Sequence, residues 1–507
     1  MLNSKTLRNI YGRSHENRVS PRDKDIKGSN IIALKSIIKG LVLVQLTFFL
    51  LFCYIFGTLY VSNSHVKNLS VVFVDYDQGL IGQSVQAAYN KLKGDDFPTL
   101  YARSPAEYPT PGSIRHGVCK TDFWAGFFVS AHASDRLATA LGGGEAALTY
   151  DPADVMTYIW NEARWPTNAE SLLESNLAKL STAAQEAYYS VNGTGAIRAL
   201  NVSSPQAVSA LYNPWQVQSI NIMRTNQGPR TVYNTIVVVL IIIKQFFFLM
   251  LINGLCSTFK LYLRLKPHHL IFRRLLGSSI STIMGSLLLT GAIWAFRDNW
   301  GVNANQFVLT WMTYWLYEEI NFFFIDAATA WVPAPFMPSV LVTWVILNVS
   351  STLQPIELSA GFFKWMYALP AHEMYETLVD IWSGGCNPQL YRSLPILFSW
   401  WIVFTPLAML GVLKRCHFAA IDFDKEEAAF QKRFQEAKDF ERKRDLERRT
   451  DIAAGKESTD QEDDVELANM LRRQETEFRS LYSTPSRTRY GPSIVAPGTE
   501  RIGTEGV

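Results

Sequence analysis

Six apolar runs constrain the fold of this chain of 507 residues more than any other feature. The first run, GLVLVQLTFFLLFCYIFGTLYV at 40–61, is long enough for a helix that crosses about 30 Å of hydrocarbon. Five more runs follow, at about 232–255, 275–296, 306–326, 337–353 and 394–413. We therefore predict a polytopic α-helical membrane protein with six transmembrane helices.

The composition agrees with this prediction and excludes one class of partner. Hydrophobic residues make up 48% of the chain and charged residues only 18%, and the charges are concentrated at the two ends and in one short internal stretch. A net charge of +3, with no basic face that is interleaved with aromatic residues, does not indicate nucleic acid as a partner.

Basic residues at the ends of the runs predict the orientation in the membrane. Lys35 and Lys39 precede the first run, and Lys414 and Arg415 follow the last. Cytosolic segments carry such an excess of Lys and Arg, so we expect both termini in the cytosol. The first run is expected to be retained, because no small-residue cleavage site follows it. The basic loop between the second and third runs holds Lys260, Arg264, Lys266, Arg273 and Arg274.

A mixed α/β domain outside the cell is predicted for residues 62–231, inserted after the first helix. LSVVFVDYDQG (69–79) and DFWAGFFVSA (122–131) are typical of buried strands, and AESLLESNLAKLSTAAQEAYYSV (169–191) is typical of a helix. The domain carries three candidate N-glycosylation sites, at Asn68, Asn192 and Asn201. A further sequon, at Asn348, falls within the fifth run and is expected to stay unmodified.

The rest of the chain divides into five segments. A five-helix membrane domain is expected over 232–413, followed by a charged cytosolic helix over 414–450, where opposite charges recur at three- and four-residue spacing. Residues 1–39 are predicted to be a disordered basic tail, and 451–507 a disordered cytosolic tail. The last tail either is regulatory, with phosphorylation near Ser483-Thr484-Pro485, or only aids solubility.

Five cysteines show no CxxC pairing and no His spacing, so no metal site is predicted. Cys119 and Cys386 are the two that face the oxidising side in the predicted topology. They form either a disulfide or two unpaired thiols.

Ionisable groups inside the predicted spans are the candidates for function, since each costs about 2.5–3.5 kcal/mol at a helix centre. Lys244 and Gln245 lie near the middle of the second span, Glu318 and Glu319 near the middle of the fourth, and Asp326 toward its inner end. We expect Lys244 to pair with Glu318 or Glu319. The pair either holds the bundle together or lines a polar path for a substrate.

Two further patterns concern packing. Gly277, Ser281 and Gly285 recur at four-residue spacing in the third span, which predicts close approach of two helix backbones. The stretch 351–385 is rich in aromatic residues and is broken at Pro370, so we predict an amphipathic hairpin in the outer leaflet. Within it, His372-Glu373 is either an acid–base pair or an interface anchor.

Enzymatic motifs are absent from the sequence. There is no GxxxxGK[ST] phosphate loop, no G-x-S-x-G elbow, no H-E-x-x-H and no dinucleotide fingerprint. We therefore predict no enzymatic activity, no catalytic residue and no cofactor.

The ordered motifs resemble those of the fungal nitrosoguanidine-resistance (SNG-type) membrane protein family. VVFVDYDQGLIGQSV (71–85), DFWAGFFVSAHASDRLATAL (122–141) and YDPADVMTYIWNEAR (150–164), followed by the five-span block, carry the resemblance over about 35–418. The block is also similar to type-2 ABC exporter permeases and to bacterial Pip-like and YhgE-like proteins. The resemblance implies a plasma-membrane protein that is linked to resistance to toxic compounds and to lipid homeostasis.

Two functions follow as expectations. The first is a permease-like protein that exports or translocates drugs or lipids, with a separate ATPase subunit as its motor and possible pairing into homodimers. The alternative is a non-transporting scaffold or regulator of lipid homeostasis and stress response, which docks regulatory membrane proteins through its tail. Membrane lipids are expected partners in both cases.

Overall fold

A computed structural model of the protein describes residues 24–225, 232–297 and 300–453. The predicted disorder of 1–23 and 454–507, with the Ser483-Thr484-Pro485 region, lies outside these residues. The described chain is mostly helical and holds one small mixed sheet.

The sheet belongs to the α/β domain and has five strands in the order β2-β1-β3-β4-β5. β1 runs parallel to both β2 and β3, whereas β4 pairs antiparallel with β3 and parallel with β5. The middle strands are buried along nearly their whole length because helices cover both faces. The strands are β1 Ser70–Asp75, β2 Thr99–Arg103, β3 Ala125–Val129, β4 Met156–Trp160 and β5 Gln218–Asn221.

Helices cover the sheet from two sides and create two cores. One face packs on the long helix Ser175–Ala199, and the other on a helix capped by Thr110. Thr110 accepts a hydrogen bond from the N–H of Ser113 and so satisfies a backbone donor that the first turn leaves free. The domain's helices are α2 Leu80–Leu92, α3 Pro111–Cys119, α4 Ala133–Leu141, α5 Ser175–Ala199 and α6 Pro205–Tyr212; α1 is Lys24–Leu59.

The helical bundle follows the α/β domain. Short helical turns connect its members, at Leu261–Arg264, Ala334–Phe336, Ile356–Leu358 and Gly361–Ala368. The bundle helices are α7 Ile236–Thr258, α8 Pro267–Ala295, α9 Ala304–Trp331, α10 Met337–Ser350, α11 Pro370–Trp382 and α12 Leu390–Ala453.

Four helices of the described chain are long and apolar enough to cross a membrane: Ile31–Leu59, Ile236–Thr258, Pro267–Ala295 and Leu390–Glu447. The other two predicted spans also form helices. However, α9 is too polar along its length, and α10 has 14 residues, or about 21 Å. By length and composition, the structure therefore supports four of the six predicted spans.

Three boundaries differ from the sequence prediction. Helix α1 begins at Lys24, inside the predicted disordered tail 1–39, because the pattern IIALKSIIKG continues the helix toward the N-terminus. Helix α12 joins the sixth predicted span to the charged segment 414–450 in one helix of 64 residues. Arg273 and Arg274, expected in a loop, lie in the first turns of α8.

The segment 351–385 has an exposed part and a buried part: Phe362 and Trp365 are exposed, whereas the helix that begins at Pro370 is packed inside the protein. Pro370 begins α11, as its fixed φ favours, and nearly every residue of that helix is buried. Trp165 of the α/β domain stacks on His372, and its indole N–H donates to the carbonyl of Thr352 at 3.1 Å. One continuous hydrophobic core consequently runs from the sheet into the bundle.

A covalent bond reinforces the contact between the α/β domain and the bundle. Cys119, at the end of α3, is disulfide-bonded to Cys386, in the loop between α11 and α12. Asn161 donates to the carbonyl of Cys386 at 3.0 Å, so the loop is held on two sides. Among the described residues, the remaining cysteines, Cys53, Cys256 and Cys416, are free.

We expect the Cys119→Ser variant to lose about 2–5 kcal/mol of stability, because the bond closes a loop across 267 residues. Thermal unfolding of the purified chain in lipid nanodiscs measures this loss. Cys53→Ser, which removes a free exposed thiol, is the matched control and should leave the midpoint unchanged. Equal midpoints for all three proteins would contradict the bond.

Candidate functional site

The candidate site is a set of charged and hydroxyl groups buried where α7, α8, α9 and α12 meet. Lys244 of α7 donates to Glu318 of α9, with 2.6 Å between Nζ and Oε2. Gln245 donates to the same oxygen at 3.1 Å. The carboxylate side chain is 1% exposed and that of the lysine 38%. The structure therefore brings together three of the residues that the sequence singled out.

A glycine of α8 opens the route for the lysine. A Cβ atom at Gly285 would lie 1.6 Å from Nζ of Lys244 and 3.0 Å from Oε2 of Glu318. Gly277, two turns away, has nothing within 4 Å of the same position. Close backbone packing along Gly277, Ser281 and Gly285 was therefore the wrong interpretation: Gly285 accommodates an ammonium group, and Gly277 lies in open space.

Glu319, the next residue of α9, points to a different partner. The hydroxyl of Thr282 on α8 donates to its Oε1 at 2.6 Å. The residue is 2% exposed, and within the described residues it makes no ion pair. The side chains of Ser279 and Trp401 also hydrogen-bond to this carboxyl group. A buried carboxyl group that has neutral donors instead of a cation is costly unless it serves a purpose.

Two arginines compensate the charge of Asp326. In the sequence, these arginines were used only to predict the orientation in the membrane. Arg274 of α8 approaches both carboxylate oxygens, at 2.7 and 3.2 Å, and Arg415 of α12 donates to Oδ1 at 2.9 Å. Tyr262 and Asn253 accept the remaining N–H groups of Arg274. This cluster ties α8, α9 and α12 together at one end of the bundle.

A line of polar side chains on α8 connects these charges. They recur every fourth residue on the buried side of the helix, which faces α9. From the first to the last, the line extends about 24 Å, nearly the thickness of the hydrocarbon core. We call these side chains, together with Glu318, Glu319 and Asp326 of α9, the polar track. Its members on α8 are Arg274, Ser278, Thr282, Ser286 and Thr290.

Several hydroxyl groups in the bundle are buried without a hydrogen-bond partner among the described residues. Thr290 is the last member of the polar track, and Tyr314 and Tyr317 lie on α9. A buried hydroxyl without a partner costs about 1–3 kcal/mol, so such groups call for a functional or structural explanation.

A second ionic cluster lies on α11, next to the α/β domain. Arg392 and Ser393 donate to Glu373 at 3.1 and 2.6 Å, so Glu373 does not pair with its neighbour His372. The histidine instead lies 3.6 Å from Glu376, one helical turn along. The geometry does not assemble His372-Glu373 as an acid–base pair.

A cavity of about 540 Å³ adjoins this cluster, between α9, α11 and the start of α12. Its walls are apolar, with Leu309, Leu316, Leu394 and Phe398 among them, and Asp380 lies at its polar end. The loop that holds the disulfide borders it through Gly384 and Gly385. We call this space the lateral cavity.

The candidate glycosylation sites differ in accessibility. Asn68 and Asn201 are exposed, and Asn192 is half-buried with its amide donating to Tyr188 at 3.2 Å. Asn348 is fully buried in α10, and its amide donates to the carbonyl of Trp344.

Sequence reasoning missed Arg274, Arg415, Thr282 and Asp380. The four-residue spacing of the hydroxyls on α8 could have indicated Thr282, because a polar stripe on an apolar helix predicts a polar neighbour. No local signal indicates Arg415 or Asp380, whose neighbours lie far away in sequence.

Comparison with known proteins identifies one family. A family model described as "protein of unknown function" (DUF3533) matches residues 40–406, which covers the second half of α1, the α/β domain and the bundle as far as the first part of α12. No solved structure matches the chain.

We expect Gly285→Ala to destabilise the bundle by about 3–5 kcal/mol, because its methyl group displaces Lys244 and leaves Glu318 buried and unpaired. Gly277→Ala, the same change on the same helix, should be neutral or stabilise by up to about 1 kcal/mol. Thermal unfolding in nanodiscs compares the two variants. Equal effects would contradict the ion pair.

Proposed function

Because the chain belongs to this family of proteins of unknown function, its geometry has to suggest the activity, and we propose a plasma-membrane permease-like protein that exports or translocates toxic compounds or lipids and so confers resistance. The polar track is the single observation that carries the proposal. It places titratable groups at intervals across a bundle whose outer surface is apolar.

The way in which the carboxylates are paired favours a substrate path over a purely structural role. Asp326 has two arginine partners, which is what a structural cluster needs. Glu318 is paired with one lysine that is itself 38% exposed, and Glu319 has neutral donors but no ion pair among the described residues. The middle of the track is thus less compensated than its end, and it can bind a proton or a cationic group in passage.

The proposed topology has six crossings with both termini in the cytosol. Helix α9 crosses despite its polar residues because α7, α8 and α12 cover them. Helix α10 crosses together with the turn before it and the chain after it, which compensates for its short length. This arrangement is the type-2 permease design with the α/β domain outside the cell.

The energy source in this proposal is a separate ATPase subunit, since the sequence has no phosphate loop. Two copies of the chain form the working unit, as in the permeases that it resembles. Membrane lipids surround the bundle and are themselves candidate cargo.

One observation favours the alternative of a scaffold that regulates lipid homeostasis. Helix α12 continues about 60 Å past Lys414 with charges on its surface. Exposed ion pairs such as Lys432–Glu436 contribute little to stability, so this length is better explained by docking to a regulatory protein.

Accumulation of a toxic compound in cells distinguishes the transport function from the scaffold function. We expect cells with Glu318→Gln to accumulate a toxic lipophilic compound several-fold more than wild-type cells, since the track loses its central charge. Cells whose chain ends after residue 422 should accumulate as little as wild-type cells. Glu436→Gln, on the exposed part of α12, is the control. Loss of resistance in the truncated chain alone would favour the scaffold instead.

Glycosylation tests the proposed orientation. We expect Asn68→Gln and Asn201→Gln each to remove one glycan, seen as a gel shift that glycosidase treatment abolishes, because both side chains are exposed outside the cell. Asn348→Gln is the matched control and should not change mobility. A chain without glycans, or one modified at Asn348, would contradict the topology.

A further inference from the structure

The lateral cavity has the size and shape of a ligand site. Its volume of about 540 Å³ lies within the range of pockets that hold drug-sized molecules. It lies between α9 and α12, and exposed wall residues such as Leu309 and Phe398 place its opening toward the lipid. A molecule dissolved in the membrane can therefore enter from the side.

The polar end of the cavity offers an acceptor and few donors. The amide N–H groups of Gln306 are donated to the carbonyls of Ile381 and Trp382, and the hydroxyl of Thr377 to the carbonyl of Glu373. Asp380 accepts one hydrogen bond, from the N–H of Asn387 at 3.1 Å. Its carboxylate is therefore the main charged group that a ligand would meet.

Asp380 lacks the cationic partner that the neighbouring carboxylates have. Glu373 and Glu376 share Arg392, at 3.1 and 3.8 Å, and His372 lies 3.6 Å from Glu376. Within the described residues Asp380 makes no ion pair. A cation in the cavity would give Asp380 a partner of opposite charge.

The lining also excludes a class of ligand. Leu309, Met312, Leu316, Leu394 and Phe398 form the apolar wall, and none of the lining residues is Lys, Arg or His. Phosphate groups are bound in proteins by such cationic side chains, so a phospholipid headgroup would find a carboxylate instead of a partner. The ring of Phe398 adds a surface that attracts an organic cation.

We propose that the lateral cavity binds a lipophilic organic cation, an ammonium or phosphonium group on an apolar body, with its charge at Asp380. This deepens the proposed function, on which it rests for its physiological role, by naming the class of compound that is exported. Cations of this class partition into the membrane and reach the cavity from the lipid. The disulfide to Cys386 holds the loop at its rim.

Binding of radiolabelled tetraphenylphosphonium to the full-length chain in phosphatidylcholine nanodiscs tests the proposal. Tetraphenylborate has the same shape and the opposite charge, so it isolates the role of the carboxylate. We expect saturable phosphonium binding that Asp380→Asn weakens about tenfold, and borate binding that is weaker than phosphonium binding in the wild-type chain. Asp135→Asn, at an exposed position of the α/β domain, should change neither.

A second variant covers the case in which Asp380→Asn fails to fold. Leu394→Trp fills the apolar part of the cavity and should abolish phosphonium binding while the disulfide and the unfolding midpoint persist. Equal binding of the two probes, phosphonium binding of unchanged affinity in either variant, or no saturable binding in phosphatidylcholine would overturn the proposal. A second copy of the chain seated in the cavity would appear as concentration-dependent loss of phosphonium sites and would also overturn it.

Export measured alongside separates the two conclusions. Charge-selective binding without any effect of Glu318→Gln on accumulation would leave the cation site standing and remove the transport function. Loss of export in Glu318→Gln cells, with no charge-selective binding, would support the transport function and remove the cation site.

Discussion

Compensation of buried charge on α9 determines how the bundle is arranged. This helix carries Glu318, Glu319 and Asp326 within about two and a half turns, all nearly inaccessible. A carboxylate in an apolar interior has to find a cation or several hydrogen bonds, since its desolvation costs several kcal/mol. Three neighbouring helices supply these partners: α7 the lysine, α8 the hydroxyl and an arginine, and α12 the second arginine.

The three carboxylates of α9 differ in how their charge is compensated. Asp326 is paired with two arginines and Glu318 with one lysine, whereas Glu319 has neutral donors and no ion pair among the described residues. A bundle that only needed stability would gain by replacing Glu319 with an apolar residue. In the proposed function, Glu319 is the group that changes its partner or its protonation state.

The α/β domain is part of the same mechanical unit. The disulfide, the stacking of Trp165 on His372 and a shared core join the sheet to α11. Helix α11 in turn borders the lateral cavity through Asp380. Movement of the α/β domain would therefore reach the cavity through packed side chains.

The sequence by itself determined the apolar helices, the existence of a separate α/β domain and the presence of costly charges in the spans, because length, hydropathy and residue type are local properties. It also indicated that Lys244 pairs with Glu318 or Glu319, since pairing is the cheapest way to bury two opposite charges. Only the tertiary structure decided that Gly285 makes room for that pair, that Arg274 and Arg415 meet on Asp326, and that Asp380 faces a cavity. These contacts join residues up to 89 positions apart in the chain. They depend on how each helix is rotated about its axis, and this rotation follows from packing against several neighbours at once.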